Sequence, residues 1–338
     1  MLQLNNKSSL IAAILVLPDP EGVESIYTVV KATYAIGSSL ELDDQQLPIY
    51  FKDEFYGDPL CSSVKFPSDT SLMKPGTDVL LHGNAWAPAG QPVTESRVRL
   101  KVGSIDKTVI VTGDRFWETG VVGTSMSAPE PFETIPLMWE RSFGGSDSEL
   151  NNPDRHAGIP ENPVGVGFRM SNGTIELDGM KLPNLELETA RVQSWKDRPA
   201  PGGFAALAPN YEPRLSFAGT YDDQWQKERL PYLPIDFNPL FFQCAPEGQV
   251  TSEFLRGDEI VSVSGASQIG RLEFQLPGVV PQISYTVGNQ PQPQPVQLDT
   301  LLIEPDENRV SLVWRAVLKT NNKTLQVNEV AVNVVNAR

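Results

Sequence analysis

The sequence is short of the residue types on which much enzyme chemistry depends. It has two histidines, His82 and His156, and two cysteines, Cys61 and Cys244. A serine or cysteine nucleophile activated by histidine must use one of those two imidazoles. His82 stands in a strand-like run and His156 in the loop-like run NPDRHAGIPENP, and no G-x-S-x-G elbow accompanies them. The spacings of Cys61, Cys244, His82 and His156 match no zinc-ligand pattern, so no metal is expected. A phosphate loop is missing as well: Gly165-Val166-Gly167 is a bare G-x-G, and no lysine follows Gly144-Gly145. Nothing in the sequence asks for a cofactor.

Basic charge is also scarce. There are 27 lysines and arginines against 42 acids, a net charge of −15. Nonspecific attachment to nucleic acid or to an anionic membrane needs a basic surface, so neither is an expected partner. The apolar run Leu10 to Leu17 (LIAAILVL) is too short to cross a bilayer. Only Lys7 precedes it as a charge, and Pro18-Asp19-Pro20 follows without a small-x-small cleavage site, so it reads as a buried first strand rather than a leader. Two widely spaced cysteines make no disulfide framework. The expected location is the cytoplasm.

What is present is mainly β. Val23 to Ile36 alternates with Ile26, Val30, Ala32, Tyr34 and Ile36 on one face and Ser25, Lys31 and Thr33 on the other. Asp78 to Trp86 reads as another strand. Arg97 to Val102 and Lys107 to Thr112 read as a hairpin. Near the C-terminus, Arg271 to Leu276 and Val310 to Leu318 have the same alternation. Asn321-Asn322-Lys323 reads as a turn into a hairpin partner, Leu325 to Val335, and Pro291 to Pro295 as a polyproline-like connector. No repeat of 20–50 residues is visible. The division is an N-terminal β region (1–112), an irregular middle rich in proline, glycine and aromatics (113–249), and a C-terminal β region (250–338). The two β regions are expected to form one sandwich or barrel-like scaffold, in one composite domain, with the middle as a long insertion.

Within the middle, Asn184 to Lys196 is the best helix candidate, a short one, with Leu185, Val192 and Trp195 near one stripe. Arg198 to Gln249 is the densest stretch, holding nine of the 28 aromatic residues and eight prolines. Proline blocks helix and central-strand geometry, so this strip must lie extended against something else. One short helix fits near Asp222 to Arg229, capped by Asp222 or Thr220 and ended by Leu230-Pro231. Such a strip can cover a core with one side and present the other to a partner. Glu140 beside Trp139 and Asp236 beside Phe237 are acids flanked by aromatics, with Arg141, Arg214 and Arg229 as expected ion-pair partners. The adjacent acids Asp222 and Asp223 point apart in most backbone conformations.

Several motifs together resemble a known family. They are FETIPLMWERSFGG (Phe132 to Gly145), NPVGVGF (Asn162 to Phe168), LPNLE (Leu182 to Glu186), EPRLSFAGTYDDQW and RLPYLPIDFNPLFFQCAPEGQ within the strip, and LDTLLIEP…VWR (Leu298 to Arg315). The chain is similar across nearly its whole length to a bacterial domain-of-unknown-function family found beside type VI secretion spike genes. That resemblance implies a cytoplasmic adaptor or chaperone without turnover, which holds an effector, often one carrying a PAAR domain, and helps load it onto the VgrG spike. The motif residues it points to, as contacts or as architecture, are Trp139, Glu140, Arg141, Phe143, Arg214, Tyr221, Asp222, Trp225, Arg229, Asp236, Phe237, Phe241 and Phe242. Two alternatives stay open: a hydrolase, perhaps on glycans, using carboxylates of the middle, and a carbohydrate-binding β module. An acid pair in an open cleft, roughly 5–9.5 Å apart, favours the hydrolase; an aromatic surface without one favours the adaptor.

Overall fold

In the computed structural model, residues 2–121, 123–149, 152–170, 177–321 and 323–336 are described. Strands from both ends of the chain pair directly. The first sheet runs Ile11–Pro18, Glu24–Ala35, Arg309–Lys319, Gln297–Glu304, Asp78–Leu81, with the short Glu41–Leu42 also on Glu24–Ala35. All its pairings are antiparallel except the last, Gln297–Glu304 with Asp78–Leu81. Its central strands are buried on both faces; Ser25 to Tyr34 are all buried, including the residues expected on a polar face. Val30, Ala32, Leu312 and Trp314 enter the main core, while Val29 and Val313 pack on the opposite side with Ile49.

The second sheet runs Leu185–Leu187, Ile105–Thr112, Glu95–Val102, Ile260–Ser264, Arg271–Gln275, antiparallel throughout. It contains the expected hairpin, with Val98, Leu100 and Val102 turned into the core and Arg97, Arg99 and Lys101 outward. The third runs Gln3–Asn6, Val327–Asn336, Val279–Val287, Gln290–Gln294. Residues from all three sheets meet in one apolar cluster, where the Tyr285 hydroxyl also contacts Thr28 Oγ1 at 2.7 Å. The fold is mainly β, and among the described residues no sheet closes into a barrel.

Several local expectations are corrected. Leu10 to Leu17 is a half-buried edge strand. Asp78 to Trp86 is broken at His82-Gly83: Asn84–Trp86 leaves the first sheet and pairs with Thr134–Pro136. The hairpin after Asn321 does not form, because Val327–Asn336 crosses to the third sheet. Gln290–Gln294 is an edge strand despite its prolines, which a strand tolerates where the missing N–H faces away from its partner. His156 lies in the Asn152–Gly158 strand rather than a loop. Asn184 to Lys196 is not a helix. Leu185–Leu187 joins the second sheet, and buried Asn184 donates from Nδ2 to Thr112 O at 2.9 Å and Asp114 Oδ1 at 2.8 Å, which holds the segment extended.

The face of the first sheet away from the main core carries buried ion pairs. Lys31 meets Asp69 at 2.8 Å, Lys74 meets Asp78 at 2.7 Å and Arg315 meets Asp299 at 2.6 Å. Buried charges are tolerated when paired and hydrogen-bonded, and of these Asp78 also accepts from the backbone of Cys244 and Ala245 in the middle of the chain.

Candidate functional site

The motif around Trp139 is interior. Its side chain is 2% exposed, and the indole N–H is shared between Ala205 O at 3.2 Å and Ala206 O at 3.0 Å. Among the described residues no arginine pairs with Glu140, contrary to expectation: Oε1 accepts from Ser63 N at 2.7 Å and Oε2 from the Ser63 hydroxyl, which also accepts from Trp139 N at 3.1 Å. Arg141 reaches Asp114 Oδ1 at 3.4 Å and Asn184 Oδ1 at 3.3 Å. Phe143 is buried with Trp117, Phe168, Met180, Leu182 and Val192. Asn162 then clamps the turn, donating from Nδ2 to Trp139 O at 2.9 Å and Phe143 O at 3.0 Å. Gly144, at φ 156°, passes so close that a Cβ would stand 2.2 Å from Asn162 O. The WERSFGG and NPVGVG segments are thus two interlocked halves of one architectural crossing.

The strip Arg198 to Gln249 is fastened at both ends. Gly202 to Ala208 are buried, and Leu81 N donates to Phe204 O at 3.4 Å. Arg214 is buried too, donating to Leu207 O and, at 3.0 Å, to Phe241 O. On the return, Asp78 accepts from Cys244 N at 3.0 Å, Cys244 Sγ at 3.3 Å and Ala245 N at 3.2 Å. Burial, reinforced by Asp78, pushes the Cys244 thiol up to about 12, so it stays a donor. Gln249 Nε2 closes the fastening on Val79 O at 2.7 Å and Phe204 O at 2.9 Å.

Between these fastenings, residues 215–240 form an exposed arm. The expected short helix is there as Asp223–Glu228, capped by Asp222, whose Oδ1 accepts from Trp225 N at 2.8 Å. Tyr221 and Trp225 meet edge-on at 4.7 Å, and the indole N–H donates to Tyr232 O at 2.9 Å. Among the described residues Asp236 also has no arginine partner. It accepts from Thr220 N at 3.0 Å and Thr220 Oγ1 at 2.7 Å, and these bonds hold its carboxyl below the usual range. Gly219, at φ 80°, lets that base close; a Cβ there would stand 2.9 Å from both Asp236 Oδ1 and Pro234 Cβ. Phe237, Phe241 and Phe242 form a mutual aromatic cluster at the arm's root. Arg229 ties the arm to the scaffold, donating to Leu233 O at 3.0 Å and Pro20 O at 2.7 Å.

The arm leaves apolar side chains in solvent. Tyr221 is 53% exposed, Leu230 56% and Ile235 82%, and Leu215, Tyr232 and Leu240 are exposed with them. Trp225, Asp222, Glu228 and Ile235 also border a 200 Å³ hollow on the arm. Of these, Leu215, Leu230, Ile235 and Leu240 were not singled out by sequence; their spacing has no period, and the prolines beside several of them are the available signal that they could not enter a sheet.

Residues 21–315 match the model of a family described as "Uncharacterized protein conserved in bacteria (DUF2169)". The chain belongs to that family. The match contains the Trp139 crossing, the strip and its arm. No curated protein and no solved structure matches the chain.

This DUF2169 chain has a second concave region, of 540 Å³, at the joint ends of the parallel strands Asp78–Leu81 and Gln297–Glu304. His82 borders it, 5% exposed, with Nε2 making no hydrogen bond; burial lowers its pKa to about 4 and keeps it neutral. Glu304 is held by Arg309 through bonds of 2.7 and 2.8 Å, and Asp306 by Asn84 and the Trp86 indole. Among the described residues no group of three or more His, Cys, Asp or Glu is placed to hold a metal. No helix among the described residues is long and apolar enough to cross a membrane.

Proposed function

We propose that the protein is an adaptor or chaperone that holds a type VI secretion effector, one carrying or joined to a PAAR domain, in the cytoplasm and helps load it onto the VgrG spike. The observation that carries this reading is the arm: an ordered excursion, fastened at both roots, whose apolar side chains face solvent. An exposed apolar patch rimmed by polar residues marks a protein-interaction surface. Aromatic and aliphatic anchors held in place before contact lose little freedom on binding. The net charge of −15 favours a partner with basic surface and repels acidic competitors.

The motifs quoted for the resemblance support the same reading, since one set builds the crossing under the strip and the other builds the arm. The protein is assigned no turnover of its own. Glu140 and Asp236, the carboxylates of interest for a hydrolase, accept hydrogen bonds from Ser63 and Thr220 and so serve local structure.

Co-expression with the cognate effector, sought among the products of neighbouring genes, is expected to raise that effector's soluble yield. Deletion is expected to abolish its secretion while the tube protein is still exported through other spikes. Unchanged effector solubility and secretion after deletion refute the proposal.

A further inference from the structure

The first sheet ends in a strand edge to which no further strand among the described residues is paired. Ile11–Pro18 pairs with Glu24–Ala35 on one side, and no other backbone among the described residues bonds to its outer side. The pairing parity identifies the groups left over. On Glu24–Ala35 the even positions face Arg309–Lys319: Glu24 O accepts from Thr320 N at 3.3 Å. The odd positions face the other way, as Thr33 O does in accepting from Asp43 N at 2.9 Å. In the observed register Ile11, Ala13, Leu15 and Leu17 oppose Lys31, Val29, Tyr27 and Ser25, so those four make the ladder. Ala12, Ile14 and Val16 therefore turn their N–H and C=O groups outward.

Two other edges of these sheets are blunted in ways this one is not along Ile11 to Leu17. Asp78–Leu81 is sealed by the strip, with Val79 N donating to Gln249 O at 2.9 Å. Gln290–Gln294 has Pro291 and Pro293, which remove donors from its free side. Ile11–Pro18 is eight residues long, and no charge lies between Lys7 and Asp19. A long apolar edge of this kind is a template for strand addition.

Building on the adaptor reading, we propose that this edge receives an extended segment of the effector, which adds to the first sheet as one more strand. Main-chain bonds at Ala12, Ile14 and Val16 supply the ladder, and apolar side chains at alternate positions of the incoming segment supply the fit. Charge selects its ends. The edge leads into Asp19, Glu21 and Glu24; Asp19 is buried and shares Lys319 with the exposed Glu21, which leaves this turn net acidic, and Arg229 joins the arm to Pro20 there. The segment is therefore basic where it passes the turn and apolar along the strand. A second copy is the wrong occupant, because two chains of net charge −15 repel one another.

The test uses the full chain and the neighbouring-gene product that co-purifies with it. Val16 is 43% exposed and its N–H points outward, so Val16→Pro removes one edge donor and blocks approach without touching the existing ladder. V16P is expected to keep the wild-type melting temperature and to bind the effector about tenfold more weakly. V16K, which needs no backbone adjustment, is expected to weaken binding in the same direction. In the wild-type complex the amides of Ala12, Ile14 and Val16 are expected to become protected from hydrogen exchange. A complex that forms with those amides unprotected, or with both variants at full affinity, overturns the edge proposal and leaves the adaptor reading standing. Wild-type protein that does not hold the effector overturns both. A wild-type dimer that V16P makes monomeric assigns the edge to a second copy and overturns the proposal as well.

Discussion

Replacing Trp139 by alanine separates architecture from contact more cleanly than any other single change. The side chain is 2% exposed, packs with Leu80, Ala205, Ala206 and Tyr211, and donates its indole proton to the strip at Ala205 O and Ala206 O. Removing a buried tryptophan costs about 3–5 kcal/mol in lost transfer energy and cavity. The abandoned carbonyls add about 1 kcal/mol unless water enters. Unfolding entropy near 2.1 cal/mol/K per residue over 338 residues makes about 0.7 kcal/mol/K, so a loss of 4 kcal/mol lowers the melting temperature by about 6 °C. W139F, which keeps most of the volume and loses the hydrogen bonds, is expected to fall about 2 °C. W225A is the control: that indole lies on the exposed arm, and its loss is expected to cost less than about 1 kcal/mol globally. Calorimetry on the three variants gives the answer. A W139A melting temperature within about 1 °C of wild type, or a W225A drop as large as that of W139A, refutes this division of roles.

Two further outcomes follow from particular side chains. His82 is held neutral by burial, with its pKa lowered from 6.5 to about 4, so between those values the unfolded chain binds a proton that the folded chain does not; stability is expected to fall by roughly 3 kcal/mol as pH drops through that window, and urea titrations of H82Q are expected to show a shallower slope there. Pro291 and Pro293 strip donors from the outer side of the Gln290–Gln294 edge, so in high salt, where repulsion between acidic chains is screened, P291T/P293T is expected to self-associate in sedimentation runs more than the wild-type protein, with an equal monomer fraction as the contrary result.

The sequence is legible where one face of an element is wet. Val98, Leu100 and Val102 alternate with Arg97, Arg99 and Lys101 because the second sheet has a solvent side, and the hairpin could be read from them. The Asp223–Glu228 helix was likewise marked by its Asp222 cap and by Pro231. The first sheet hides its pattern because both faces are buried. Lys31, read as an outward residue, is interior and paired with Asp69, a residue 38 positions away whose role no local pattern could reveal. The apparent helical stripe of Leu185, Val192 and Trp195 came from a three-residue strand followed by turns, and the competing term was the long-range pairing with Ile105–Thr112. Ion-pair partners were misassigned for a related reason. Glu140 and Asp236 are satisfied by hydroxyl and amide donors, whereas the eye looks first for arginine.

The buried charges explain why an arm made of loop can act as a rigid surface. Asp78 sits in the first sheet and gathers Lys74, Cys244 and Ala245, so the returning end of the strip is tied to a strand rather than to another loop. Arg214 ties the outgoing end to Leu207 and Phe241, and Arg229 ties the arm to Pro20. Breaking any of these leaves a desolvated charge or amide without a partner, which costs more than the bond itself contributes. The arm is thereby held close to the end of the Ile11–Pro18 edge, since Pro20 lies two residues beyond that strand. A partner that lays one segment on the edge and an apolar patch on the arm makes its second contact from an already bound state. The second contact then depends on the geometry between the two surfaces rather than on free concentration. Two modest surfaces held close together can hold a cargo that neither would retain alone, and release at one of them is enough to let it go.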